Sequence, residues 1–262
     1  MPSELERAVA FEERVRERCT ERIVPFRFGR AFFNDTFPRM WYLNSLRVEE
    51  TEGLTAPLLA AEAERLHVEA GHEHRSVAVP DEAAGAVLAP GFAELGWDVE
   101  HFVFMAYRGP GERVVDTAAV EEVAGDELVP FREIVYGTEP WATSEEAVRM
   151  VVAGNAFQAR VAGARHFAVR KGGAVVSAAD LYEDGRTAQV EDVATLGSER
   201  GRGYGSAVTL RAVEEAVAAG HDFVFLVADA EDWPKELYGR LGFEAIGEGW
   251  AFLRKPAPAG PA

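Results

Sequence analysis

Residues 200–206, Arg-Gly-Arg-Gly-Tyr-Gly-Ser, hold the densest run of chemically useful geometry in the sequence. They stand between a segment of strand character and one of helix character. Glycines let a ligand come close to the backbone, and a helix start leaves several N–H groups unpaired and pointing one way. Together these make a cradle for phosphate. Two nucleotide signatures are excluded. The loop lacks the Gly-Lys-Ser/Thr ending that holds a nucleoside triphosphate with magnesium. Gly201-x-Gly203 is followed by Tyr204-Gly205-Ser206, without the third glycine or alanine of a dinucleotide fingerprint. Other chemistry is sparse. The single cysteine, Cys19, makes no intrachain disulfide, redox pair or cysteine zinc cluster. His72-Glu-His74 lacks a third or fourth ligand at metal spacing, so these read as solvated polar residues, and no metal is expected. His101, His166 and His221 are isolated and take no role.

The elements that must position this loop follow from hydrophobic periodicity. Before it the sequence predicts helices near 126–136 and 144–162 and strands near 165–171, 173–183 and 187–196. After it come a helix near 203–219, with Leu210, Val213 and Val217 on one face, and a strand over the apolar run 222–228. A helix near 233–241 and a strand near 243–253 close the chain. The first half reads as a helix near 3–18, strands near 21–33 and 40–48, and a helix near 54–70 with Leu58, Leu59 and Leu66 inward. A strand near 74–79, a helix near 82–95 and a strand near 97–107 complete it.

The turn-rich segment Arg108-Gly-Pro-Gly-Glu-Arg113 marks a boundary, dividing the chain into residues 1–110 and 111–262. Each half ends alike: Phe92-Ala-Glu-Leu-Gly-Trp97 aligns with Tyr238-Gly-Arg-Leu-Gly-Phe243. In both, a helix stops at a glycine suited to the left-handed cap and an aromatic opens a strand. The halves read as diverged copies of one unit.

The chain has 262 residues, 27 basic against 44 acidic, and a net charge of -17. Nucleic acid and anionic lipid are bound through clustered positive charge, so neither is an expected partner. The first 22 residues alternate charge with sparse apolar positions, so no signal peptide is expected in them. No run reaches transmembrane length, and a cytoplasmic protein is expected.

The loop Arg200-Gly-Arg-Gly203-Tyr-Gly205 resembles the Arg/Gln-x-x-Gly-x-Gly/Ala loop of the GCN5-related N-acetyltransferase (GNAT) superfamily. Leu237-Tyr-Gly-Arg-Leu-Gly-Phe243, 37 residues beyond Arg200, resembles its second hallmark. The resemblance spans about residues 115–255. The fold class it implies is α/β (α+β): two tandem GNAT-like domains, each a mixed, mostly antiparallel sheet flanked by helices. Residues 1–110 would be a degenerate copy, since Arg47-Val-Glu-Glu-Thr-Glu-Gly-Leu54 puts acids where phosphate would sit. Residues 111–262 would bind acetyl-CoA.

The resemblance implies direct attack of an amine on the thioester of acetyl-CoA in a ternary complex, with no other cofactor and no metal. Backbone amides from Arg200 through Gly201, Arg202, Gly203, Tyr204 and Gly205 to Ser206 would hold the pyrophosphate, with Arg200 and Arg202 as charge partners. Val193, Ala194 and Thr195 would bond the pantetheine arm like an added strand. Tyr238 matches the tyrosine that protonates the departing thiolate, whereas its counterpart Phe92 lacks the hydroxyl. The amine must attack neutral, so a base is needed. Strand alternation puts Gln189, Glu191, Val193 and Thr195 on one face, making Glu191 the candidate base; a bulge in this strand would hand the role to Asp192. Glu231 stands where the family often has a pantetheine-binding asparagine, and Trp233 reads as a core residue, with lining of the cofactor cleft as the alternative. The acceptor would be a small-molecule or peptide amine entering near the meeting of the two halves. Aminoglycoside, polyamine, amino acid, peptide N-terminus and protein lysine all satisfy this chemistry, and oligomeric state is left open. The alternative is a non-catalytic acyl-CoA-binding or regulatory protein of the same fold.

Overall fold

A computed structural model describes residues 2–142 and 144–256. The chain begins with α1 (Glu4–Cys19), β1 (Arg22–Phe26), β2 (Gly29–Phe33), β3 (Ser45–Val48), α2 (Ala56–Glu69) and β4 (Arg75–Val79). It continues through α3 (Glu82–Glu94), β5 (Asp98–Tyr107), β6 (Val120–Val123), α4 (Val129–Tyr136), α5 (Glu145–Ala162), β7 (Arg165–Lys171) and β8 (Ala174–Asp184). The last elements are β9 (Thr187–Thr195), α6 (Tyr204–Ala218), β10 (Phe223–Asp229), α7 (Pro234–Leu241) and β11 (Phe243–Arg254).

Contacts divide the chain into two compact units that do not coincide with a single cut near 110. The N-terminal unit comprises Cys19–Val103, Asp229–Glu231 and the segment from Gly247 on. The C-terminal unit comprises the segment up to Arg18, Phe104–Ala228 and Asp232–Ile246. So α1, first in sequence, folds with the C-terminal unit: Arg7 pairs with Asp222, and Arg14 with Asp184 at 2.6 Å. Conversely, the end of β11 completes the N-terminal unit by pairing Trp250–Arg254 antiparallel to Arg75–Val79.

In the N-terminal unit β1–β2, β2–β3 and β4–β11 are antiparallel and β3–β4 is parallel. Its helices start where the sequence supplies caps: the Thr55 side chain accepts from Leu58 N–H, and Asp81 from Ala84 N–H. Leu46, Leu59, Leu66, Val77, Phe92 and Phe252 form its core. Leu58, expected inward, is 45% exposed; the buried stripe of α2 runs through Ala56, Leu59, Ala63 and Leu66, one position further on.

In the C-terminal unit the strand order is β10-β9-β8-β7-β6, with β9–β10 parallel and the rest antiparallel. Strand β6 escapes a reading of the sequence because it is a four-residue edge strand, Val-Glu-Glu-Val, bonded only to β7. Helix α6 buries Val208, Thr209, Ala212, Val213 and Ala216, which leaves Val217, expected inward, 53% exposed. No described helix is long and apolar enough to cross a membrane.

The repeated hexamers share a local geometry. Each helix is followed by a left-handed glycine, Gly96 at φ +75° and Gly242 at φ +102°. Phe92 meets Trp97 edge to face at 5.0 Å and 63°, and Tyr238 meets Phe243 at 6.1 Å and 65°.

Candidate active site

The site grows from one irregularity in β9. Along β8, Asp180 faces Glu191 and Ala178 faces Ala194, so one residue opposes two. This is a β-bulge, and it puts Asp192 at φ +50°, the one described non-glycine residue in the left-handed region. Aspartate tolerates that region better than most side chains. The extra residue also inverts the alternation beyond it. Thr195 pairs with Ser177, their hydroxyls 2.8 Å apart, while Glu191 shares the face of Asp180, Ala178 and Ala194. Glu191 and Thr195 therefore lie on opposite faces, not together as simple alternation predicts.

Strand β9 leaves its parallel neighbour at the same place. The ladder to β10 runs from Thr187↔Phe223 to Gln189↔Phe225 and stops. Beyond it, a cavity of about 590 Å³ is lined by Asp192, Val193, Ala194 and Thr195 of β9 together with Leu237 and Tyr238 of α7. Arg200, Gly201, Gly203, Tyr204, Gly205 and Ser206 line it as well.

The loop holds its shape through glycine. Gly203 caps α6 at φ +85°, and no side chain caps that helix. The N–H groups of its first turn are left for a ligand. Glu199 would repel an anion here, but it is held by Lys171 at 2.9 Å and Arg202 at 3.0 Å. The Lys171 hydrogen bond lowers its pKa. Arg202, read from the sequence as a charge partner for pyrophosphate, is thus committed to Glu199 and is not among the cavity residues.

Another arginine is present that sequence reasoning missed. Arg113 lines the cavity, and its Nη2 lies 3.5 Å from where a Cβ on Gly203 would sit. It is placed by the turn 108–113, whose backbone lies on the end of α7: Arg108 N–H donates to Gly242 O at 2.9 Å, and Arg113 N–H to Arg240 O at 3.2 Å. Gly111 permits this approach, since a Cβ there would be 2.3 Å from Arg240 O. Among the described residues neither Arg113 nor Arg200 pairs with a carboxylate, while Arg132, Arg165 and Arg170 each hold two.

Below the bulge is a buried polar network. Arg132 of α4, 3% exposed in its side chain, donates to Asp180 at 2.5 Å and to Asp192 at 2.9 Å. Tyr136 donates to the other oxygen of Asp192 at 2.6 Å and accepts from Asn155 at 2.7 Å. His166, isolated in sequence, meets Asp180 at 2.7 Å. Burial raises the Asp192 pKa to about 6, with Asp180 adding repulsion and Arg132 and Tyr136 opposing the rise. Burial and the neighbouring Glu12, Asp192 and Asp180 raise Glu191 further, to about 8. Glu191 accepts from Gln189 at 2.8 Å, which also donates to Glu12 at 3.1 Å. Glu191 is not a cavity residue, whereas Asp192 is.

Tyr238 is 9% exposed. Burial, with the charge of Glu191 adding, raises its pKa to about 12. Trp233 is no core residue: it is 57% exposed and lines the cavity beside Asp232. Glu231 lies 3.4 Å from His101 and is not a cavity residue. His72 and His74, expected in solvent, are 5% and 2% exposed, because the chain folds back from α2 into β4 and packs both rings beside His67.

Residues 128–243 match the Acetyltransferase (GNAT) family model. No curated protein sequence matches the chain. A protein of unknown function from Staphylococcus epidermidis is 18% identical over 91% of this chain and 95% of its own, with a TM-score of 0.70. A GCN5-related N-acetyltransferase from Kribbella flavida is 20% identical over 96% of this chain and 95% of its own, with a TM-score of 0.63. A tandem GNAT protein from the clavulanic acid biosynthesis pathway is 17% identical over 78% of this chain and 70% of its own, with a TM-score of 0.51. At these identities the likenesses establish the fold.

Proposed function

We propose that this chain, whose residues 128–243 match the GNAT family model, is an acetyl-CoA-dependent N-acetyltransferase acting on a small-molecule or peptide amine. One observation carries the reading. A single cavity gathers an uncapped helix N-terminus, two arginines without acid partners, the freed edge of β9, a carboxylate and a phenol. That set matches the anionic, amide-bearing and reacting ends of an acyl-CoA.

The amides of the α6 start, with Arg200 and Arg113, bind the pyrophosphate. Val193 to Thr195 offer backbone groups to the pantetheine amides where β10 no longer does. The amine nitrogen attacks the thioester carbonyl carbon, its proton passes to Asp192, and the C–S bond breaks. The electron pair of that bond leaves on sulfur and takes a proton from Tyr238. Asp192 suits the base role better than Glu191 because it faces the cavity and its pKa of about 6 leaves it ionised at neutral pH. The Tyr238 hydroxyl favours transfer over simple binding, since a binder has no charge on sulfur to stabilise.

The acidic residues Glu139, Asp192 and Asp232 around the cavity, within a chain of net charge -17, favour a cationic acceptor. The test is Tyr238→Phe assayed by free-thiol release against an amine panel, with acetyl-CoA binding followed by thermal shift. Turnover should fall by more than about tenfold while binding stays within about threefold. Unchanged turnover removes Tyr238 from the reaction. A wild-type chain that shows no shift with acetyl-CoA removes the reading altogether.

A further inference from the structure

The N-terminal unit, which has no phosphate loop, buries three imidazoles together. His67 sits in the last turn of α2, His72 just beyond it and His74 immediately before β4, at 0%, 5% and 2% exposure. One ring nitrogen from each lies within 4.8 Å of the others. Any three atoms so spaced share a point no more than about 2.8 Å from all of them, so shifts of about 0.7 Å per ring reach a Zn–N bond of about 2.1 Å.

Half of the buried side-chain nitrogens left without a partner among the described residues belong to this cluster. Nδ1 of His67 and both ring nitrogens of His72 are buried without a hydrogen-bond partner, an arrangement native interiors avoid unless a ligand is satisfied there. The opposite nitrogens face the backbone as metal-bound histidines do. His74 Nε2 lies 3.0 Å from Asn44 O, and His67 Nε2 lies 3.4 Å from Ser76 O and 3.3 Å from Ser76 N. For His74, a proton on Nε2 donated to Asn44 O leaves the Nδ1 lone pair for a metal, while the Ser76 N–H donates to His67 Nε2 and fixes that ring's place in the cluster. Phe33 packs edge-on against His67 and His72 at 5.4 Å and 5.2 Å and helps fix their planes. Burial lowers the pKa of all three, with His67 at about 2 and His74 at about 4, so they hold the neutral form that ligates. Two cations act on the rings, and both are paired: Arg75 donates to His72 O and His74 O and holds Glu64 at 2.9 Å, and Arg22 holds Asp35 at 3.2 Å, so their charge is largely offset.

We propose that His67, His72 and His74 form a site for one first-row divalent cation of zinc type, held by three neutral imidazoles with a water as fourth ligand. Imidazole donors without carboxylate or thiolate select such ions over magnesium or calcium. The ion would tie the end of α2 to the start of β4.

The experiment uses the full chain, stripped with a chelator, dialysed, and loaded with Zn²⁺ alone. Metal content is read by mass spectrometry, and Co²⁺ in its place is read by visible absorption. The expected result is about one Zn²⁺ per chain and a visible Co²⁺ spectrum of low coordination number. His72→Gln and His74→Gln should each weaken binding by more than about tenfold. His72→Gln is the primary variant because that ring gives up no hydrogen bond, and its fold is verified by circular dichroism. His101→Gln, which lies outside the cluster, should bind as the wild type does. A folded wild type that takes up less than about a tenth of an equivalent overturns the proposal. So does uptake that survives both variants. Neither outcome bears on acetyl-CoA binding, which the thermal-shift test reads separately.

Discussion

Replacing Asp192 by asparagine separates what the cavity does from what the fold needs. The carboxyl group titrates at about 6 in the folded chain against 3.8 for the free side chain, chiefly because it is buried. The charged form is therefore disfavoured by folding. Stability is highest below the unfolded value and is lost as the pH rises from about 4 through about 6. At about 1.4 kcal/mol per unit, the loss by pH 8 is on the order of 3 kcal/mol. Asparagine carries no charge at any pH, tolerates φ +50° and keeps an oxygen that accepts a hydrogen bond. Arg132 retains Asp180 at 2.5 Å. We expect Asp192→Asn to be more stable than the wild type by about 1–3 kcal/mol at pH 8, with the difference shrinking toward pH 4.

Activity should move the other way. Loss of a positioned base costs about 100-fold or more, and the acid limb of kcat/KM near pH 6 should disappear. Urea melts at pH 4, 6 and 8, paired with pH–rate profiles, measure both effects. Glu191→Gln, as companion, should keep turnover within about threefold, because Glu191 does not line the cavity. A variant less stable than wild type at pH 8 would mean that the carboxylate serves mainly to hold Arg132. Retained turnover with the acid limb intact would place the base elsewhere.

The remaining expectations concern the anion cradle and the N-terminal core. Gly203→Val forces a β-branched residue into φ +85° beside Arg113 and should abolish the acetyl-CoA thermal shift; tight binding by this variant would remove the loop from the site. Arg113→Ala should weaken acetyl-CoA binding by about tenfold at low salt and less at high salt, as titration calorimetry would show. Phe92→Ala removes a fully buried ring stacked on Phe252 at 4.0 Å and should destabilise the protein by about 3–5 kcal/mol in chemical denaturation.

Much of the fold was legible because its signals are local. Caps at Thr55, Asp81 and Ser144 and glycines at 96, 163 and 242 punctuate the helices, and apolar runs mark the strands. The loop at 200–206 was legible for the same reason, since glycine spacing is itself the geometry. What escaped depends on pairing between distant segments. The bulge at Asp192 arises from how β9 meets β8, and alternation alone placed Glu191 on the wrong face. Arg113 reaches the loop only because its turn lies on the end of α7. Arg202 is committed to Glu199, a pairing that the loop's glycine spacing does not specify. His67 stands five residues before His72 on a helix whose sequence gives no hint that the chain turns back to bury all three rings.

The placement of α1 has a consequence for biosynthesis. Its Arg7 is made well before its partners Thr187, Arg186 and Asp222, which lie some 180 to 215 residues downstream. At about 5–20 residues per second the ribosome needs roughly 10–40 s to deliver Asp222. Through that interval Phe11, which packs edge-on against Phe225 at 5.5 Å in the folded chain, has no partner to cover it. The C-terminal unit thus cannot mature as it is synthesised. Its assembly is a late event of high contact order.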